Sequence, residues 1–411
     1  MERVDAPGAQ RDIVVVGAGP VGLTAALAVR ALGRPVTVVE AGAADRVRPG
    51  SRAIFIHGAT LDVLERIRPG LGAEFASHGL AWRTKRTLYR GREVYHRTYP
   101  PARTDRLPAA TSLPQVVQEQ ILLKHAHEAG VEFVWNAPVE RVVPSRQGVR
   151  IEIEGGNTID ARYVIGADGA RSAVRESAGL QLEGPRTRTA FVIVDVAEDP
   201  SNPLPPERIF HYEHPAVGYR SVLFVPFAGH WRVDLQCLPG DDPDAFSGEE
   251  GVRQWLPKVM PARYADRVTW VSTYIFRQAI ANSFTDKTRR VLLAGEAAHI
   301  FAPFGARGLN SGVPDVFVAV TAIDRALNAG DGPDAERAID HFATSRRAAA
   351  ARNRAASNTA LRHLTMPDMS SRVTRRLAGF SASFLPSVAR WMDKAPYGPG
   401  LSAPDADGMQ Y

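Results

Sequence analysis

Two glycine-rich segments, almost the whole chain apart, carry residue types suited to holding a ligand by backbone alone. The first is Gly17-Ala18-Gly19-Pro20-Val21-Gly22, between the β-branched residues 13–16 and an apolar stretch over 21–32. The second runs from Gly295-Glu296-Ala297-Ala298-His299 through Pro303-Phe304-Gly305 to Gly308-Leu309-Asn310, after the apolar residues 291–294. Glycine lets backbone turn tightly and approach a ligand, and a helix opening there points free N–H groups and partial positive charge at it. In the first segment Gly17 permits the turn, Gly19 admits a pyrophosphate, and Gly22 lets helix and strand pack closely. Glu40 closes the next strand, 18 residues after Gly22. A carboxylate there accepts both hydroxyls of a ribose and disfavours a 2′-phosphate, so the expected ligand is FAD or NAD.

A third segment, Ile165-Gly166-Ala167-Asp168-Gly169-Ala170-Arg171-Ser172, again follows a strand and leads into a helix. Asp-Gly is also a common turn dipeptide and Ser a helix cap, so this segment alone admits a purely structural reading. His299 invites a catalytic role, but a scaffold role in its loop is the favoured reading. No His, Cys or Asp spacing suggests a metal site. Ser172 lies outside any Gly-x-Ser-x-Gly elbow.

The elements that must position these segments can be read around them. Residues 13–40 form a compact strand–turn–helix–strand unit, and a helix follows near 60–66. A longer helix opens at Leu113-Pro114-Gln115 and stops at Gly130. Short strands are expected at 132–135, 139–143, 149–154 and 163–167. From about 187 to 279 alternating runs predict an antiparallel sheet interrupted by one helix near 248–260. The first domain resumes at Val291, and helices fill 316–354. The expected fold class is therefore α/β: a Rossmann-like domain for that FAD or NAD, an inserted mostly antiparallel β-sheet domain and a helical C-terminal region. The expected divisions are 1–75, 108–186 and 280–355 for the first domain, 76–107 and 187–279 for the sheet, and 356–411 for a helical tail. Its end, 396–411, reads as mobile.

At 411 residues the chain has room for two to three domains. Its 45% hydrophobic and 23% charged residues suit a soluble globular enzyme. No apolar run approaches the ~20 residues that span a bilayer, and the polar residues 1–10 lack a signal peptide's core. With Cys237 the only cysteine, no disulfide can form within the chain. A cytoplasmic protein is expected, without membrane or nucleic-acid partners. Its charge of +6 is arginine spread along the chain, without the aromatics of a base-stacking platform.

Taken in order, the three motifs resemble the single-component FAD-dependent aromatic hydroxylases of the p-hydroxybenzoate hydroxylase type, over about residues 12–355. The resemblance implies an extended FAD, a substrate between flavin and inserted sheet, and NADPH or NADH as a transient co-substrate. Gly17, Ala18, Gly19, Pro20, Val21 and Gly22 would line the pyrophosphate and Glu40 the ribose, with Ala41 where the family often has a basic residue. Arg52 is similar to the family's arginine on the phosphate or nicotinamide side, and Gln115 to the glutamine at the ribityl chain. Val139 lies where backbone meets the adenine. Asp168 and Gly169 match the motif serving FAD and the nicotinamide nucleotide. Gly295, Glu296, Pro303, Gly308, Leu309 and Asn310 would hold the flavin end, with N–H groups near the N1–C2=O edge. Glu296 replaces the usual Asp, and Ala302 the first proline of a Pro-Pro pair.

The activity so implied is hydroxylation of a phenolic or heteroaromatic small molecule with NAD(P)H and O2 through a flavin C4a-hydroperoxide, in a bacterial biosynthetic or catabolic pathway. Pro303, His57, Tyr219 and Arg220 are the candidate catalytic residues, and His211, Tyr212 and Arg232 further candidates for substrate contact. A same-fold reductase that inserts no oxygen is the competing reading. Expected partners are the aromatic substrate, O2 and NAD(P)H, with a homodimer among the assemblies considered.

Overall fold

A computed structural model describes residues 10–101, 103, 105–366 and 368–399. The chain opens with β1 (Arg11–Val16), α1 (Pro20–Ala31) and β2 (Thr37–Val39), the compact unit its sequence predicts. β3 (Phe55–His57), α2 (Gly58–Ile67), α3 (Leu71–His78) and the hairpin β4 (Thr84–Tyr89) and β5 (Arg92–Thr98) follow. Next come β6 (Ala110–Ser112), α4 (Gln115–Glu128) and β7 (Glu132–Val134). A meander of β8 (Val139–Pro144), β9 (Val149–Ile153) and β10 (Thr158–Gly166) ends in the short α5 (Ala173–Ser177).

β11 (Leu182–Glu183) leads to the long strands β12 (Arg186–Ala197), β13 (Glu207–His214), β14 (Arg220–Phe227) and β15 (His230–Gln236). After α6 (Pro243–Ser247) and α7 (Glu249–Trp255) come β16 (Val268–Arg277) and β17 (Ala279–Ala281). The chain then returns through β18 (Val291–Leu293) and β19 (His299–Ile300) to four helices. These are α8 (Arg307–Ala329), α9 (Pro333–Thr365), α10 (Met369–Ser381) and α11 (Pro386–Lys394).

Two seven-stranded sheets organise these elements. In the first, β7, β2, β1, β10 and β18 run parallel, and β8 and β9 extend from β10 in antiparallel fashion. Val14, Val15, Val38, Val39, Val164, Ile165, Leu292 and Leu293 are all buried, as strands covered on both faces require. The second sheet has the order β16-β12-β15-β14-β13-β4-β5, with only the β13–β4 pair parallel. Its residues alternate between faces. Val192, Val194, Val233 and Leu235 pack with Val252, Trp255 and Leu256. Phe191, Ile193, Leu223, Phe210, Arg232 and Asp234 fall on the other face.

The helix expected over 248–260 is α7, continued only by a 3-10 turn over Leu256–Lys258, and the short α6 stands before it as a separate helix. Gly248 ends one and starts the other, and Pro257 and Pro261 stop continuation. At the start of the stretch expected to be mobile, Pro396 is buried in a 3-10 turn beside Tyr397. Residues 400–411 lie outside the described residues.

The C-terminal helices are tied to the second sheet by a buried ion pair. Lys85 on β4 meets Asp393 on α11, their side chains only 3% and 1% exposed. Thr87 Oγ1 donates to the same carboxylate at 3.2 Å, and Tyr212 Oη donates to the Met392 carbonyl at 2.8 Å. Removing one partner of such a pair leaves a buried charge uncompensated. Asp393→Ala is therefore expected to cost about 3–5 kcal/mol in denaturant unfolding, and the apolar double variant Lys85→Met/Asp393→Leu distinctly less.

Candidate functional site

The parallel strands of the first sheet all end at one cavity of about 1260 Å³. Gly17 follows β1, Glu40 follows β2, Ala167 and Asp168 follow β10, and Gly295 lies just past β18; all five line it. Ligands of open α/β sheets bind in this crevice, outside the carboxyl ends of the strands. The cavity's other wall is the second sheet's free face, so the space lies between the two units.

A helix N-terminus opens at each end of it. α1 starts from Gly19 and α8 from Ala306, and neither has a side-chain cap. Their first-turn N–H groups are thus left for a ligand. The start of α1 is held close to β1 because residue 22 has no side chain: a Cβ there would stand 1.8 Å from the Gly17 carbonyl oxygen. Gly17 has φ +101°, and its Cβ would lie 2.6 Å from the Ala167 carbonyl. Gly169 and Gly308 line the cavity and have nothing within 4 Å of a built Cβ. Side chains at either position would enter the space.

Around α1 the polar groups are already organised. Glu40 accepts from the N–H groups of Ala18 (2.6 Å) and Gly42 (2.9 Å), with Arg46 at 3.3 Å and Arg48 at 3.9 Å. Arg48 also pairs with Glu119 at 3.2 Å, and Gln115 Nε2 donates to that carboxylate at 2.9 Å. Gln115, Arg48, Arg52, Ala41 and Val139 line the cavity. The sequence reading missed Arg46 and Arg48, although the run Arg46-Val47-Arg48-Pro49-Gly50-Ser51-Arg52 directly after the second strand was a visible signal.

Asp168 spends its carboxylate on α5, accepting from Ser172 Oγ at 2.5 Å and the Val174 N–H at 3.1 Å. Burial raises its pKa, and those two hydrogen bonds oppose the rise.

The loop between β18 and α8 hangs on Asp315, which is 1% exposed. Its carboxylate accepts from the Gly295 N–H (3.2 Å) and Arg346 Nε (2.8 Å), and meets His299 Nε2 at 2.6 Å. Burial pushes Asp315 up, but the charge and hydrogen bond of His299, with Arg346, outweigh it and hold it below the usual carboxylate range. His299 is thus engaged in scaffolding. Glu296 points into the cavity, solvent-accessible there although deep within the fold. Burial raises its pKa, while His299, Arg52 and Arg48 lower it.

Asn310 has no side-chain valence left for a cofactor. It accepts from the His57 N–H (2.9 Å) and Thr60 Oγ1 (2.7 Å), and donates to the Phe55 (2.8 Å) and Ala306 (2.7 Å) carbonyls. It clamps the start of α8 to β3. His57 lines the cavity, with Nε2 3.1 Å from the Gly305 carbonyl, and burial lowers its pKa, so the neutral ring donates there. Pro303, Gly308 and Leu309 line the cavity beside it; Ala18, Gly22 and Asn310 support from behind.

Four candidate substrate contacts on the second sheet do not reach this space. Tyr219 is 53% exposed, with the Arg90 guanidinium over its ring. Arg220 is bound to Asp241 by two hydrogen bonds (3.1 and 2.7 Å). His211 accepts the Gly91 N–H (2.9 Å), and Tyr212 is buried against His363 and Met392. His211 falls on the opposite face of β13 from Phe210, Tyr212 is covered by α9 and α11, and Tyr219 and Arg220 lie at the turn end of the hairpin, beyond a register shift. Arg232 does line it, bonded to Ser51 Oγ, with Asp195 at 3.7 Å. The missed wall residues include Arg208, Asp234 and Tyr274. Arg232 and Asp234, two apart in a strand that alternates polar and apolar residues, were a readable signal of one shared face.

Comparison with known proteins agrees with this geometry. The chain is 29% identical over 313 residues to a 6-methylpretetramide 4-monooxygenase of Streptomyces rimosus, covering 74% of this chain and 54% of the relative. It is 28% identical over 326 residues to a 3-(3-hydroxy-phenyl)propionate/3-hydroxycinnamic acid hydroxylase of Mycolicibacterium smegmatis, covering 76% and 54%. The chain thus matches about half the length of each. Among solved structures, a p-nitrophenol 4-monooxygenase from Pseudomonas putida DLL-E4 superposes with a TM-score of 0.77, covering 95% of this chain and 99% of that one. At 24% identity this is a likeness of fold. The model of the FAD binding domain family matches residues 10–357, and the chain, with its glycine cradle and two open helix N-termini, belongs to that family of FAD-binding proteins.

Proposed function

We propose that the protein is an FAD-dependent monooxygenase that hydroxylates a phenolic or heteroaromatic small molecule, using NADPH or NADH and O2. The observation that carries this reading is the single cavity with an uncapped helix N-terminus at each end and a sheet face as its remaining wall. The names of the two relatives, a monooxygenase and a hydroxylase of hydroxyphenyl acids, support it.

In this reading Gly17, Gly19 and the first turn of α1 hold the pyrophosphate, and Glu40 holds the adenosine ribose. Arg48, Arg52 and Gln115 flank the phosphates and ribityl chain, with Val139 at the adenine. Gly308 and Leu309 turn N–H groups toward the flavin's N1–C2=O edge, where a helix N-terminus stabilises the negative charge of the reduced state. Bound FAD supplies hydride acceptance from NAD(P)H and activation of O2. The protein's part is to orient the ring and exclude water, and the apolar residues Phe210, Leu223, Val225 and Phe304 suit that wall. Pro303 lines the same cavity.

Two experiments check this. Purified protein is expected to be yellow, to lose the flavin absorption on adding NADPH or NADH, and to place one atom of labelled O2 in a hydroxylated phenol. Substrate turnover with no label in product would overturn the reading in favour of a reductase. In addition, Gly308→Val puts a branched side chain into the cavity without an unfavourable helical φ. Its FAD affinity, measured by titrating apoprotein, is expected to fall about tenfold or more.

A further inference from the structure

The second sheet presents one carboxyl to the cavity from the middle of an otherwise weakly polar row. Asp234 on β15 stands directly across from Ile193 on β12 and Leu223 on β14. Ser272 pairs with Ile193 on the outer side, and Phe210 with Leu223. All five line the cavity. Asp234 Oδ1 is buried and makes no hydrogen bond. Its nearest cation in sequence, Arg232, is turned to Ser51 and Asp195 rather than to it. A carboxyl placed among aliphatic and aromatic groups with an unmet oxygen is costly, and a leucine would fill the row better. Oδ1 itself is closed off from the cavity, so the remaining part of the half-buried carboxyl, which lines the cavity, is what a ligand donor would meet.

We propose that Asp234 is a catalytic residue that accepts the hydrogen bond of the substrate's ring hydroxyl and takes its proton; this rests on the aromatic hydroxylation proposed above. The O–H bond breaks, the proton moves to the Asp234 carboxylate, and the electron pair stays on the ring oxygen, making the ring more nucleophilic. Arg208, on the same wall, is 4% exposed with its guanidinium 4.4 Å from the Tyr397 ring, and it adds positive charge to that side of the cavity. The charged groups that act on Asp234 are Arg232 on its own strand and Asp195 on β12, while Arg208 on β13, Tyr274 on β16 and His57 line the same cavity. Burial pushes the Asp234 carboxyl up to about 7, with Arg232 lowering it and Asp195 raising it. A base in that range is better matched to a phenol than an ordinary carboxylate.

The test uses FAD-loaded wild type, Asp234→Asn and Asp234→Ala. The probes are p-nitrophenol, 4-hydroxybenzoate, 3-(3-hydroxyphenyl)propionate and 3-hydroxypyridine, each beside its O-methyl ether. Binding is read from the flavin absorption band, and FAD content and thermal unfolding report whether each variant folds. Wild type is expected to bind its best phenol about tenfold or more tighter than the ether, a discrimination lost in Asp234→Ala. Product formation by wild type should rise with pH through about 7, as the carboxylate forms, and this rise should be absent in Asp234→Asn. A variant that keeps both the phenol preference and the pH profile overturns the proposal. If Asp234→Ala does not fold, the isosteric Asn variant decides alone. Should no phenol perturb the wild-type flavin spectrum, aromatic hydroxylation itself falls, and the role of Asp234 with it.

Discussion

The start of α1 lies so close to the end of β1 that a Cβ on residue 22 would stand 1.8 Å from the Gly17 carbonyl oxygen. The cofactor end of the cavity depends on this contact. It places the uncapped first turn of α1 at the mouth of the parallel sheet, between Glu40 after β2 and Asp168 after β10. The Gly17 N–H donates to the Val39 carbonyl at 2.8 Å, which locks the turn to the neighbouring strand. Backbone donors fixed in this way need no rearrangement to receive an anion, and a pyrophosphate is the anion that an extended dinucleotide brings there.

The reactive end is held by different means. The 12-residue path from Gly295 to Ala306, where α8 begins, is held instead by a buried carboxylate. Asp315 joins Gly295, His299 and Arg346, and Asn310 joins α8 to β3. The two sheets are then registered by another polar contact: Asp195 accepts the N–H (2.8 Å) and hydroxyl (2.7 Å) of Ser51, and Arg232 donates to that hydroxyl. Beside it, a Cβ on Gly50 would lie 2.3 Å from the Trp270 ring. Loop 50–57 thereby carries Arg52 and His57 to the cavity as part of the same rigid arrangement.

How much of this the sequence disclosed follows from the range of each interaction. The glycine cradle, Glu40 and the loop at 295–310 are local signals, because turn geometry and helix initiation are written in adjacent residues. The order of strands and helices was readable for the same reason. The sheet's contribution was not. Tyr219 and Arg220 lie at the turn end of the β13–β14 hairpin, beyond the register shift that follows His211, and which end of the hairpin meets the cavity is set by the whole sheet. Asp234 and Arg208 reach the cavity through pairing with β12, β14 and β4, which no short window reveals. Asn310 sits in the expected place, yet its amide serves β3 and Ala306. Tyr397 was read as part of a loose tail, and its position depends on the distant pair Lys85 and Asp393 that fixes α11 to β4.

The account stands or falls on one FAD lying between two helix N-termini. A crystal structure of the FAD-loaded protein tests this most directly. It should show the pyrophosphate against Gly17, Gly19 and the first turn of α1, and the N1–C2=O edge of the flavin within hydrogen-bond distance of the Gly308 or Leu309 N–H. A flavin bound with its N1 edge turned away from α8, or a pyrophosphate outside the α1 cradle, would contradict it.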